Sequence, residues 1–363
     1  MNYVLIFFAI FSIGALTAWY TYKPQGVSQI IPNVETVFQP QATPTPTVAF
    51  ISPPASFELS GMEYVKQTFN NCGPATLSMV LSYFGSPVSQ QELGQQIRPY
   101  QHPTGDNDDK SVFAREFVKY SKQYGYEALS RPNGSPELLK KLVANGFPVI
   151  VRTWLHPNED IGHFRIVRGY DDAAQEFIQD DSYEGPSLRY NYDVFMSMWQ
   201  PFNYGYILLY PKDKEPVIRV ILGDDFDEQS AWSNALDRAN NEASTANPYP
   251  VFNQATAQYH LGNTADSVRL YNSVENQLPG RMLWYQIEPL FAMKAEKQYD
   301  QLFAKINNIL TNNNRGFSEL YQLRGEVYLE QGKQEEARRE LEQAVFYNMN
   351  NEEAKELFSP LSQ

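Results

Sequence analysis

The last third of the chain advances in steps of 35 residues, and that period constrains the fold more than any other feature. Tyr321, Gly325, Tyr328, Gly332, Ala337, Leu341 and Ala344 fall at helical spacings on either side of a break at Gly332. One step back, Lys297-Gln-Tyr299 aligns with Gly332-Lys-Gln334 and Leu302 with Ala337; a further step reaches Gly262, Ser267 and Tyr271. A helix pair cannot bury its apolar side alone, so units repeating at a fixed interval must stack. Small Gly325 and Ala337 let paired helices approach, while larger residues fill the groove between units. The period predicts three units over residues 223–363, beginning near Pro248, Leu283 and Ser318, with a capping helix at about 228–241. Such a stack offers a curved interaction surface without catalytic chemistry of its own. Its other use is as a spacer packed on the rest of the chain.

The other end is quite different. Residues 3–20 form an uncharged apolar run, about the length that crosses a bilayer as one helix, followed by Trp19, Tyr20 and Tyr22. An uncleaved anchor over residues 1–23 is the expectation, with a cleaved signal peptide as the alternative. No Lys or Arg occurs between Pro24 and Val65, and residues 24–57 are rich in Pro, Thr, Gln and Ser, with Thr43-Pro-Thr-Pro-Thr47 inside. That composition buries no core and reads as an extended linker holding the folded part outside the cytoplasm. The sequence contains 42 Asp plus Glu against 29 Lys plus Arg. Lacking a basic excess, it is a poor partner for nucleic acid.

Between them, residues 58–212 mix helical and strand-like segments. The single cysteine, Cys72, lies in Gln67-Thr-Phe-Asn-Asn-Cys72-Gly-Pro74 and leads into a helix that Pro74 opens and Gly85 stops. An internal disulfide is excluded. A sulfur at a helix N-terminus sits where unpaired N–H groups favour thiolate, the nucleophilic form; a buried inert thiol is the bland alternative. Further helices are predicted from Ser89, over 111–124 and from Ser135 to Gly146. Strands follow at 148–154, 162–170, 175–180 and 204–210, giving an α+β layout with the cysteine helix on a mostly antiparallel sheet. His163 begins one strand and Asp180-Asp181 closes the next, so a hairpin would bring them together. Nucleophile, base and orienting carboxylate are the parts of a catalytic triad.

Gln67-x-x-Asn-Asn-Cys72-Gly-Pro-Ala, Gly162-His163-Phe and Asp181-Ser182 together resemble the C39-like cysteine peptidases of bacteria, papain-like in fold. The resemblance implies Cys72 as nucleophile, His163 as general base, an aspartate as orienting group and Gln67 as oxyanion donor. Gln67 stands five positions before the cysteine, where the peptidases of bacteriocin exporters have six. The family's Asp-Pro is here Asp180-Asp181-Ser182; the alternation Phe177-x-Gln179-x-Asp181 favours Asp181, with Asp180 as runner-up. Those peptidases are fused to transporter modules, which this chain lacks, so substrate identity does not carry over. The last helical unit resembles a tetratricopeptide repeat (TPR).

No cofactor is implied. Asp106-Asn-Asp108-Asp109 lacks the glycine and closing glutamate of a calcium loop, and His102, His156 and His260 have no ligand spacing. The reading is a membrane-anchored cysteine peptidase acting on peptides or proteins, with helical repeats for a protein partner. A non-catalytic peptide- or protein-binding module on the same fold is the alternative.

Overall fold

A computed structural model describes residues 50–100, 112–244, 246–312 and 314–362. The apolar run at 3–20, most of the linker, His102 and the Asp106–Asp109 loop lie outside them. Among the described residues no helix is long and apolar enough to cross a membrane.

Among the described residues seven strands form one sheet, six of them in the order β2-β7-β3-β4-β5-β6: β2 (Glu127–Arg131), β7 (Tyr206–Tyr210), β3 (Val149–Trp154), β4 (Gly162–Asp171), β5 (Glu176–Asp181) and β6 (Gly185–Asn191). Each pairs antiparallel with its neighbours. The short β1 (Ser56–Glu58) pairs with the far end of β4, so the last residues assigned to the linker belong to the sheet. Alternation along each strand feeds two apolar layers. Ile150, Phe164, Ile166, Ile207 and Leu209 meet Leu77, Val80 and Leu81 of α1 (Cys72–Tyr83). On the opposite side Val149, Val151, Val167 and Leu208 meet Leu139, Leu142 and Val143 of α4 (Pro136–Ala144).

Local chemistry explains the helix boundaries. Ser89 accepts a hydrogen bond from Glu92 N at 3.1 Å and opens α2 (Gln90–Ile97); Ser135 does the same from Leu138 N at 3.1 Å for α4. The helix predicted over 111–124 is α3 (Ala114–Gln123), shorter at its start. The Glu116 carboxylate reaches back to accept from Phe113 N at 2.8 Å, so Phe113 caps the helix while its ring turns into the core.

After α5 (Tyr192–Trp199) and α6 (Glu215–Leu222), α7 (Glu228–Glu242) precedes three antiparallel pairs. These are α8 (Tyr249–His260) with α9 (Thr264–Val274), α11 (Glu288–Ala295) with α12 (Tyr299–Asn312), and α13 (Ser318–Glu330) with α14 (Gln334–Tyr347); α15 (Glu352–Phe358) follows. The three within-pair turns fall at Gly262, Lys297 and Gly332, with φ of +85°, +56° and +72°, all left-handed. Gly325 is needed for contact, since a Cβ there would come within 2.8 Å of Leu341. The second pair starts at Glu288, later than the Leu283 predicted, because α10 (Met282–Tyr285) intervenes as a short separate helix.

The described residues belong to one compact unit. A single apolar cluster joins Phe113, Trp154, Met198 and Phe202 of the sheet region to Tyr271, Tyr285, Leu290 and Phe317 of the helices. Buried Arg98 crosses the same boundary, paired with Glu116 at 3.0 Å and with Glu319 of α13 at 2.5 Å.

Candidate active site

Cys72 is the first residue of α1 and is half-buried. The loop before it is held from α2: Gln90 accepts from Thr68 N at 2.8 Å and donates to Lys66 O at 2.7 Å. Asn71 donates to Thr68 Oγ1 at 2.7 Å, and Asn70 takes a left-handed φ of 54° to complete the turn. Gly73 lets the helix start pack closely, since a Cβ there would come within 3.1 Å of Val112.

His163, the second residue of β4, is buried, and its Nε2 lies 2.8 Å from Asp181 Oδ1. The Cys72 side chain is the other group that acts on the His163 ring. Burial alone would lower the affinity of the imidazole for a proton. The bonds to Asp181 and Cys72 outweigh it and raise the His163 pKa to about 9. Asp181 shows the converse: burial pushes its pKa up, but His163, Arg165 and the Glu184 backbone hold it at about 2. Residues 59–207 match the Peptidase_C39 like family.

Within the C39-like domain the neighbouring aspartates point to different partners. Asp181 lies opposite Arg165 and Asp180 opposite Ile166 in the β4–β5 pairing. Asp181 Oδ1 also accepts from Tyr183 N at 2.8 Å and Glu184 N at 3.0 Å, and its Oδ2 lies 2.9 Å from Arg165 Nε. Asp180 instead pairs with Arg168 at 3.1 Å and accepts from Ser187 N at 2.8 Å. Gln67 sits beside the loop after Asp181: its N–H donates to Ser182 O at 2.8 Å, and its Oε1 accepts from Ser182 Oγ at 2.8 Å. Its carbonyl oxygen is thereby committed, and the NH2 end of the amide points away from Ser182.

Arg165 and Gln90 escaped the sequence reading as parts of this site, and Ser182 entered it only as the neighbour of Asp181. The His163-x-Arg165 spacing could have flagged the arginine, since both side chains lie on one side of the strand. His156 forms an outer ring, with Nε2 2.5 Å from Glu184 and Nδ1 3.0 Å from Glu159. His260 stacks on Trp232 in the helical region, ring centroids 3.9 Å apart.

Among solved structures, the peptidase domain of Streptococcus ComA, a bi-functional ABC transporter involved in a quorum-sensing pathway, is 23% identical, with TM-score 0.34, over 42% of this chain and 100% of that one. The first TPR of Spaghetti (RPAP3), bound to an HSP90 peptide, is 20% identical, with TM-score 0.17, over 42% of this chain and 92% of that one. No curated protein matches the chain.

Proposed function

We propose that the chain is a cysteine peptidase, anchored by residues 1–23 with its folded part extracytoplasmic. The observation that carries the catalytic part is that buried His163 is bonded to Asp181 at 2.8 Å and also interacts with the Cys72 side chain. In this reading the Cys72 sulfur attacks the peptide carbonyl carbon, and the His163 imidazolium gives its proton to the leaving amine. Water then attacks the thioester, His163 takes a proton from it, and the acid product leaves with the thiolate restored. Asp181 keeps the ring oriented and stabilises its charged form. A backbone N–H at the start of α1 and the Gln67 amide stabilise the oxyanion.

The anchor and the outside location rest on the apolar run at 3–20 and on the stretch without Lys or Arg that follows. A mature N-terminus mapped near Trp19 would refute the anchor. The repeats are assigned to a protein partner, for which Tyr259, Phe291, Lys294 and Glu326 line a concavity of about 1090 Å³.

Iodoacetamide alkylation tests the chemistry. Cys72 should react well below pH 8, and His163→Ala should abolish that low-pH reactivity. A thiol that reacts only like an ordinary cysteine and ignores His163→Ala would leave a peptide-binding module without catalysis.

A further inference from the structure

The helical region meets the strand that carries His163 through residues outside its own repeat. Residues 281–286 lie between the first helix pair and the second, and the extra turn α10 displaces the second pair from its period. Their side chains and backbone engage the C39-like domain. Arg281 pairs with Asp160 at 3.0 Å, Gln286 accepts from Asn203 at 2.8 Å and donates to Pro201 O, and Tyr285 O accepts from Arg152 Nη1 at 3.0 Å.

The Tyr285 ring lies directly on Gly162. A methyl group at Gly162 would come within 2.9 Å of the ring carbons, so only glycine fits beneath it. Trp154 and Phe202 hold the ring from the sides, each with its centroid 6.0 Å away. Gly162 immediately precedes His163, and Trp154–Gly162 is the last pair of the β3–β4 ladder. Arg152 pairs across the ladder with Phe164, the residue after His163, and its guanidinium lies 4.3 Å over the Phe164 ring. Tyr285 thus fixes both flanks of His163: the ring bears on Gly162, and the carbonyl holds the arginine that covers Phe164. Backbone pairing runs one step further, from Leu155 N to Ile161 O at 2.8 Å, but it holds only the main chain and covers the side-chain face of neither flank.

We propose that Tyr285 is a positioning residue for His163, which makes the helical region part of the catalytic machinery and not a detachable arm. The proposal rests on the peptidase reading. A displacement of about 1 Å in a catalytic group costs up to roughly a hundredfold in rate, so a contact this close to the imidazole matters more than its area suggests.

The test is the pH profile of Cys72 alkylation by iodoacetamide in the full-length chain, with melting temperature recorded in parallel. Tyr285→Ala should lower the rate at pH 6 by about tenfold, the change that one pKa unit makes, and shift the profile upward. Tyr285→Phe, which keeps the ring, should retain the wild-type profile; the backbone carbonyl is common to all three proteins. Gly162→Ala should reproduce the loss in the wild-type background and add nothing to Tyr285→Ala, because the methyl then has room. Should Tyr285→Ala fail to fold, Gly162→Ala against wild type decides alone. A wild-type profile in Tyr285→Ala, or an equal effect of Gly162→Ala in both backgrounds, overturns the positioning role while the peptidase reading stands. Wild-type alkylation indifferent to His163→Ala overturns both.

Discussion

Replacing Asp181 by Asn removes the charge that His163 and Arg165 share while keeping the side chain's shape. Two separable costs follow. Arg165 is fully buried and its Nε lies 2.9 Å from the carboxylate, so breaking that pair leaves a buried cation with only Glu184, 3.8 Å away, as counter-charge, at about 3 kcal/mol. This part does not vary between pH 4 and pH 10, because arginine stays charged. The second cost is lost coupling to His163. Against an unperturbed 6.5, the histidine pKa of about 9 corresponds to roughly 3 kcal/mol, and the depression of Asp181 from 3.8 to about 2 to somewhat less. The histidine shift includes the Cys72 contribution and the aspartate shift includes Arg165, so about 2 kcal/mol is assigned to the His163–Asp181 pair. The signs fix the window. A raised histidine contributes stability that is complete below its unfolded pKa of 6.5 and fades as pH rises through about 9; a depressed aspartate contributes above 3.8 and loses it as pH falls through about 2. Urea unfolding of wild type and Asp181→Asn, followed by tryptophan fluorescence, should therefore show the larger difference at pH 5.5 and about 2 kcal/mol less at pH 10. An equal difference at both pH values would refute a charged His163 opposite Asp181. A total difference below about 1 kcal/mol would refute the buried Arg165 pair as well.

Ser182→Ala removes the hydrogen bond that Gln67 Oε1 accepts from Ser182 Oγ, so the amide no longer has a fixed direction. The expected result on any peptide the wild type cleaves is about a tenfold fall in kcat with KM nearly unchanged, smaller than the loss of an entire oxyanion donor. Lys297 holds a left-handed φ of 56° where the equivalent turns have Gly262 and Gly332, so Lys297→Gly should stabilise the protein by about 0.5 kcal/mol in urea titration. Destabilisation would show that the Lys297 side chain does more than occupy the turn.

Features set by neighbouring residues were readable from the sequence. Pro74 and Gly85 bound α1, Ser89 and Ser135 cap their helices, and alternation along β5 sets Asp181 and Asp180 on opposite sides of the strand. What separates the two aspartates physically is the pairing register, which sets Arg165 opposite one and brings Arg168 to the other. That information lies on the neighbouring strand. Strand β2, with sequence Glu-Ala-Leu-Ser-Arg, has little intrinsic β preference and forms through its pairing with β7. Strand β6 is polar and largely exposed, so it lacks the apolar alternation that marks a half-buried strand. The interface between the two regions was hidden for a related reason. Arg98 and Glu319 are 221 positions apart, and each alone reads as an ordinary surface charge on a helix. The 35-residue period locates the helix pairs because every unit must meet its neighbour in the same way. It carries no information on a contact made once, and such a contact can only appear as a departure from the period. Residues 281–286 are that departure: they delay the second pair, and they are also the residues that reach Gly162 beside His163. An irregularity that reads as degeneracy within the repeat is therefore the place where the helical region acquires its bearing on the site.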